Sequence, residues 1–230
     1  MEAIDSPLPH TTLHHVMRDY VMGSALLATC ASTPTVALFG SARTTSAAPL
    51  YEAARETARL LAQAGFGIIT GGGPGIMEAA NRGAREGGAR SLGCPIQLER
   101  AEPANPYVES AVSFTFFAPR KATLLAAACA FVVFPGGFGT LDELFEVLVA
   151  MQTHKLAPVP LVLYGRQFWR GMLEWLRQAL LATGMIDADD LHLLAIADAP
   201  AEAVSLVTAA QVVAEPVTEP LSPLLQEVES

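Results

Sequence analysis

The chain has 230 residues, 51% apolar and 16% charged, with a net charge of −9, enough apolar material for one large core. The negative balance excludes a non-specific grip on nucleic acid, which needs many lysines and arginines against consecutive phosphates, yet it is compatible with one small anion held by a helix start and an arginine or two. Cys30, Cys94 and Cys129 stand at unrelated spacings without a C-x-x-C pair, and the longest apolar run, from Leu124 to Phe134, is too short for a bilayer, so no disulfide framework, zinc site or membrane span is expected.

In chain order, residues 1–34 read as an extension carrying one amphipathic helix at 13–22, without the basic start and apolar run of a signal peptide. Strands are expected at 35–39, 66–70, 90–95, 111–117, 130–134, 160–164 and 191–196. Helices are expected at 50–64, 75–86, 121–128, 140–154, 168–183 and 201–210. Several strands, such as Val36-Ala-Leu-Phe and Phe131-Val-Val-Phe, are apolar at every position, as strands covered on both faces are. The alternation predicts a Rossmann-like, doubly wound α/β domain over 35–212, with about seven parallel strands in a three-layer arrangement. Residues 213–230, with their prolines and acidic side chains, read as a fraying tail. In such sheets ligands lie at the carboxyl ends of the strands, and four junctions there carry chemistry.

The strongest is Phe134-Pro-Gly-Gly-Phe-Gly-Thr-Leu-Asp-Glu143, which leaves a buried strand through three glycines. Bare backbone lets a ligand come close, and a helix starting at Thr140 would aim unpaired amides and its positive end at a phosphate. Thr140-x-x-Glu143 also fits a capping box. In the first turn the helix dipole and amide hydrogen bonds would keep the Glu143 carboxylate ionised, which suits chemistry that develops positive charge on a sugar carbon. The run from Thr70 to Asn81, Thr-Gly-Gly-Gly-Pro-Gly-Ile-Met-Glu-Ala-Ala-Asn, misses the G-x-G-x-x-G spacing from every starting glycine and has no Walker lysine. It reads as bare backbone facing sugar or phosphate, or as a tight turn. Leu38-Phe-Gly-Ser-Ala-Arg43 puts Gly40 and Ser41 on the same rim. Phe116-Phe-Ala-Pro-Arg-Lys121 places a basic pair before an apolar helix, where a guanidinium has the fixed geometry to hold phosphate or ribose.

Arg120-Lys121 followed by Pro135-Gly-Gly-Phe-Gly-Thr-Leu-Asp-Glu143 resembles the paired signature of the Lonely Guy family, the cytokinin riboside 5′-monophosphate phosphoribohydrolases, many once labelled lysine decarboxylases. The resemblance runs from about Val36 to Ala210. It implies that Arg120 and Glu143 are the catalytic pair and that Gly136, Gly137, Gly139 and Thr140 hold the phosphate. It further implies that Gly40, Ser41, Gly72, Gly73, Met77 and Lys121 line the nucleotide pocket. The implied reaction is hydrolysis of a nucleoside 5′-monophosphate to free base and ribose 5-phosphate by a homodimer, with no cofactor or metal expected; the cysteine usage and the lack of a signal peptide point to the cytoplasm, and the acidic charge and short apolar runs to a small nucleotide partner rather than nucleic acid or membrane. Glu78 stands where the compact plant-like pattern has glycine, which with the extension before Thr35 resembles the longer bacterial branch and leaves the preferred base open. A carrier of nucleotide or cofactor on the same fold is the alternative, although a carrier needs the glycines and not the Arg120 and Glu143 pair. A pyridoxal phosphate decarboxylase needs a Schiff-base lysine, and neither Lys121 nor Lys155 has a supporting constellation.

Overall fold

The structure is a computed structural model describing residues 10–97 and 104–211. Seven strands, β1 (Thr35–Phe39), β2 (Gly67–Thr70), β3 (Ser91–Gly93), β4 (Ser110–Ala111), β5 (Ala130–Val133), β6 (Leu161–Tyr164) and β7 (Ala195–Ala197), form one sheet in the order β4-β3-β2-β1-β5-β6-β7. Every pairing is parallel. The helices are α1 (His10–Cys30), α2 (Pro49–Gln63), α3 (Ile76–Glu86), α4 (Phe117–Ala127), α5 (Phe138–Gln152), α6 (Arg166–Trp175), α7 (Ala188–His192) and α8 (Pro200–Gln211). The expected doubly wound α/β fold is the observed one.

Alternate strand residues feed two cores, as the two-residue period dictates. Ala37, Phe39, Phe131 and Val133 pack with Leu26 of α1, Leu124 of α4, Leu144 and Val147 of α5, and Trp169 of α6. Val36, Leu38, Ala130 and Val132 face Tyr51, Ala54 and Leu61 of α2, Ile76 of α3, and Val207 of α8. Among the described residues no helix is long and apolar enough to cross a membrane.

Several boundaries differ from expectation. The strand expected at 111–117 shrinks to Ser110–Ala111 with a single bridge between Ile96 and Phe114, because the amides of Thr115 and Phe116 are taken by the Asp19 carboxylate instead of a neighbouring strand. α4 therefore starts at Phe117, with Pro119 in its first turn, where a missing amide costs nothing. The helix expected at 168–183 ends as α6 at Trp175 and continues as a π-helical turn, Leu176–Leu181. The strand expected at 191–196 moves to Ala195–Ala197, because Asp187 and Asp190 form a capping box that opens α7. α1 extends well beyond 13–22 at both ends. The tail expected at 213–230 lies outside the described residues.

Candidate active site

The chain builds β1 to β4 outward on one side and then returns to lay β5 on the other side of β1. That reversal opens a crevice beyond the ends of β1 and β5. Three of the four sequence junctions are laced together there. The Ser41 amide donates to the Pro135 carbonyl (3.1 Å) and the Ile76 amide to the Ser41 carbonyl (3.0 Å). Gly75, at φ 68°, sits so close that a β-carbon would meet the Ser41 carbonyl and Ala42 backbone, so only glycine fits.

Behind the second junction lies a buried polar network that sequence reasoning missed. The Thr70 hydroxyl donates to Asn81 Oδ1 (2.7 Å) and accepts from the Gly72 amide (2.9 Å). Asn81 Nδ2 donates to Ser91 Oγ (2.9 Å) and the Leu92 carbonyl (3.1 Å). Asn105 Nδ2 reaches Asn81 Oδ1 and the Gly73 carbonyl, both at 2.9 Å. Gly72 and Gly73 are thus gripped from behind; the only sequence hint was a lone asparagine inside an apolar helix pattern.

The crevice is a cavity of about 680 Å³. Gly40, Ser41, Met77, Arg120, Gly137, Gly139, Thr140 and Glu143 of the predicted set line it; Gly72, Gly73, Gly136 and Lys121 do not. Gly136 lies under Thr140, whose side chain a β-carbon at that position would strike. Lys121 is directed to the outer side of α5, with Nζ 3.0 Å from Asp142 and 2.9 Å from Glu146.

The capping box did not form. α5 already begins at Phe138, with Gly137 as its N-cap and no side-chain cap, because Phe138-Gly139 takes helical geometry before Thr140. Thr140 is therefore a first-turn residue, and Glu143 falls in the second turn, beyond the orphan amides. Those amides, from Phe138 to Thr140, carry no competing acidic residue in the first turn and border the cavity.

Arg120 and Glu143 meet across the crevice. Arg120 Nη1 donates to Glu143 Oε1 at 3.1 Å, and Arg120 Nε donates to the Cys94 carbonyl at 2.7 Å. The two side chains are only 9% and 13% exposed, so each is an expensive charge without the other. Gly71 makes room for the guanidinium, since a β-carbon there would collide with Arg120 Nη2. Glu143 is not held ionised by amides as the sequence suggested. Burial pushes its carboxyl above the ordinary glutamate range, and the attraction and hydrogen bond of Arg120 only partly oppose this. The adjoining Cys94 thiol is pushed up to about 12 by burial, which removes it as a nucleophile.

Arg43 also lines the cavity although sequence reasoning gave it no role. Its side chain has no ion pair or hydrogen bond among the described residues, whereas Arg120 and Lys121 are both committed to carboxylates. A cation without a partner at a cavity wall was not visible in a run that merely ended in arginine.

Residues 77–207, more than half of the chain, match the family model described as "Possible lysine decarboxylase". The cytokinin riboside 5′-monophosphate phosphoribohydrolase of Mycobacterium tuberculosis is 32% identical over 168 residues, spanning 71% of this chain and 88% of that protein. The chain belongs to the Lonely Guy family. The pyrimidine/purine nucleotide 5′-monophosphate nucleosidase of Escherichia coli K12 is 33% identical over 125 residues, half of this chain (50%) and 28% of that longer protein. The molybdenum cofactor carrier protein of Chlamydomonas reinhardtii shares the fold, with a TM-score of 0.59 at 22% identity over 80% of this chain and 99% of that one. For the family's decarboxylase description, neither lysine supplies an amine: Lys121 is paired with carboxylates of α5 and does not line the cavity, and Lys155 is exposed beyond the C-terminal end of α5.

Proposed function

We propose that this Lonely Guy family member hydrolyses the N-glycosidic bond of a nucleoside 5′-monophosphate, AMP or an N6-modified AMP such as a cytokinin riboside monophosphate, to free base and ribose 5-phosphate. The observation that carries the reading is the buried Arg120 and Glu143 pair, 3.1 Å apart, on the wall of a cavity that the glycine-rich start of α5, the helix carrying Glu143, also lines. The 5′-phosphate sits at the first-turn amides of α5, with Arg43 as its counter-charge. The bond from C1′ to the base nitrogen breaks with its electrons going to the base. Positive charge develops on C1′, where the Glu143 carboxylate offsets it and takes the proton of the attacking water. Arg120 holds that carboxylate and the sugar in register, and water entering the open cavity protonates the departing nitrogen.

The names of the Mycobacterium tuberculosis and Escherichia coli relatives support this class of reaction. The test is to incubate the purified chain with AMP, CMP, GMP and prenylated AMP and measure free base and ribose 5-phosphate. Release from at least one is expected; tight binding of nucleotide with no release from any would favour a carrier.

We also propose that the chain works as a cytoplasmic homodimer. None of Cys30, Cys94 and Cys129 is in a disulfide. Leu13, Met17, Tyr20 and Val21 run exposed along one side of α1, and Val149 is exposed on α5 on the same side of the sheet. Such a stripe suits burial against a second copy.

A further inference from the structure

α4, which carries Arg120, opens without a cap of its own: its N-cap is Phe116 and its first turn holds no acidic residue. The cap comes from α1. Asp19, fully buried, accepts on Oδ2 the amides of Thr115 (2.6 Å) and Phe116 (3.0 Å). Its Oδ1 accepts from Arg18 Nη2 (2.9 Å), which also reaches Thr115 Oγ1 (2.8 Å). One turn further along α1, Gly23 passes so close to α4 that a β-carbon would collide with the Thr123 hydroxyl. Beyond it, Leu26 shares the core with Leu124. Asp19, Gly23 and Leu26 occupy one side of α1, so α1 fixes α4 both at its start and along its flank. Arg120 leaves α4 between those two supports, with Thr123 bonded back to the Pro119 carbonyl (2.8 Å).

We infer that Asp19 is a positioning residue for Arg120: its carboxylate holds the first turn of α4 in place, and through it the guanidinium against Glu143 and the Cys94 carbonyl. The inference rests on the reading of Arg120 and Glu143 as the reacting pair. An anionic acceptor is needed because two amides converge on a single oxygen at the positive end of a helix. Asparagine carries no charge, and with its oxygen turned to the two amides its NH2 group would face the Arg18 guanidinium that Oδ1 now accepts from. With the cap loosened, the first turn frays, and a guanidinium that must sit within a fraction of an ångström of its target loses register.

The test uses full-length Asp19→Asn, with two readouts. Without substrate, the Nε–H resonance of Arg120, identified by its loss in Arg120→Lys, is expected to shift and to exchange faster in Asp19→Asn. With AMP, kcat is expected to fall by about tenfold to a hundredfold at unchanged KM. The substitution is also expected to add nothing in an Arg120→Lys background, because the two residues act through one geometry. Should Asp19→Asn fail to fold, Gly23→Ala displaces α1 from Thr123 while keeping the carboxylate, and the same resonance shift is expected. An unchanged Arg120 resonance in whichever variant folds, or a full additive loss in the Arg120→Lys background, overturns the assignment. Absence of AMP turnover by the unaltered chain would overturn the hydrolase reading alone, since the resonance is read without nucleotide.

Discussion

At Glu143, burial and the neighbouring guanidinium act in opposite directions on one carboxyl, and burial wins, raising it from the ordinary value of 4.5. The proposed chemistry uses the ionised form, so kcat is expected to fall with decreasing pH along an acid limb above 4.5. Stability runs the other way. A carboxyl raised in the folded state stabilises while protonated, and that contribution is lost as pH rises through the folded value. Glu143→Gln is therefore expected to abolish ribose 5-phosphate release while retaining nucleotide binding, and its thermal stability relative to the parent is expected to improve as pH rises through that range. Arg43→Ala is expected to raise KM for AMP by about tenfold to a hundredfold, as loss of a charge-assisted contact does, while binding of adenosine, which lacks the phosphate, stays unchanged; equal weakening of both would remove Arg43 from the phosphate. Arg120 and Glu143 were legible in the sequence because a motif carried them. Arg43 was not, because its significance lies in having no side-chain partner among the described residues, which only three-dimensional neighbours reveal.

Elements were legible where one pattern acted alone. The strands between 35 and 39 and between 130 and 133 were read almost to the residue, since helices on both faces demand an unbroken apolar run. Reading failed where a distant side chain competed for backbone: Asp19 takes the amides that would have prolonged β4, and no local pattern announces a carboxylate arriving from α1. That contact has a pH signature. Burial alone would raise the Asp19 carboxyl, but Arg18 and the two amides outweigh it and leave it lowered from 3.8. Its stabilising contribution is thus present above 3.8 and lost as pH falls through the folded value. Acid unfolding monitored by circular dichroism is expected to show a step below pH 3.8 that Asp19→Asn lacks. Gly75→Ala is expected to cost about 1–3 kcal/mol in urea denaturation, since the position combines a left-handed backbone with contact against the Ser41 carbonyl. A loss near zero would mean that the lacing of the junctions is slack.

For the molecule as a whole, seven parallel strands and two cores could be read because apolar runs and helical periods alternate from 35 to 208. The proposed dimer was implied by the family resemblance alone, because an exposed stripe on α1 looks in sequence like any amphipathic helix. Sedimentation at micromolar concentration is expected to give a dimer for the parent and a monomer for Met17→Glu, which plants a charge in that stripe; a monomeric parent would end the homodimer proposal. The pairing of β1 with β5, Val36 beside Ala130, has a temporal consequence. Three strands and three helices are synthesised between those partners, so the chain must close a long loop before the crevice exists at all. Enzymatic competence would then return only with the final, whole-sheet phase of refolding, and a truncated or nascent chain ending before β5 would carry Arg43 and Arg120 while being incapable of turnover.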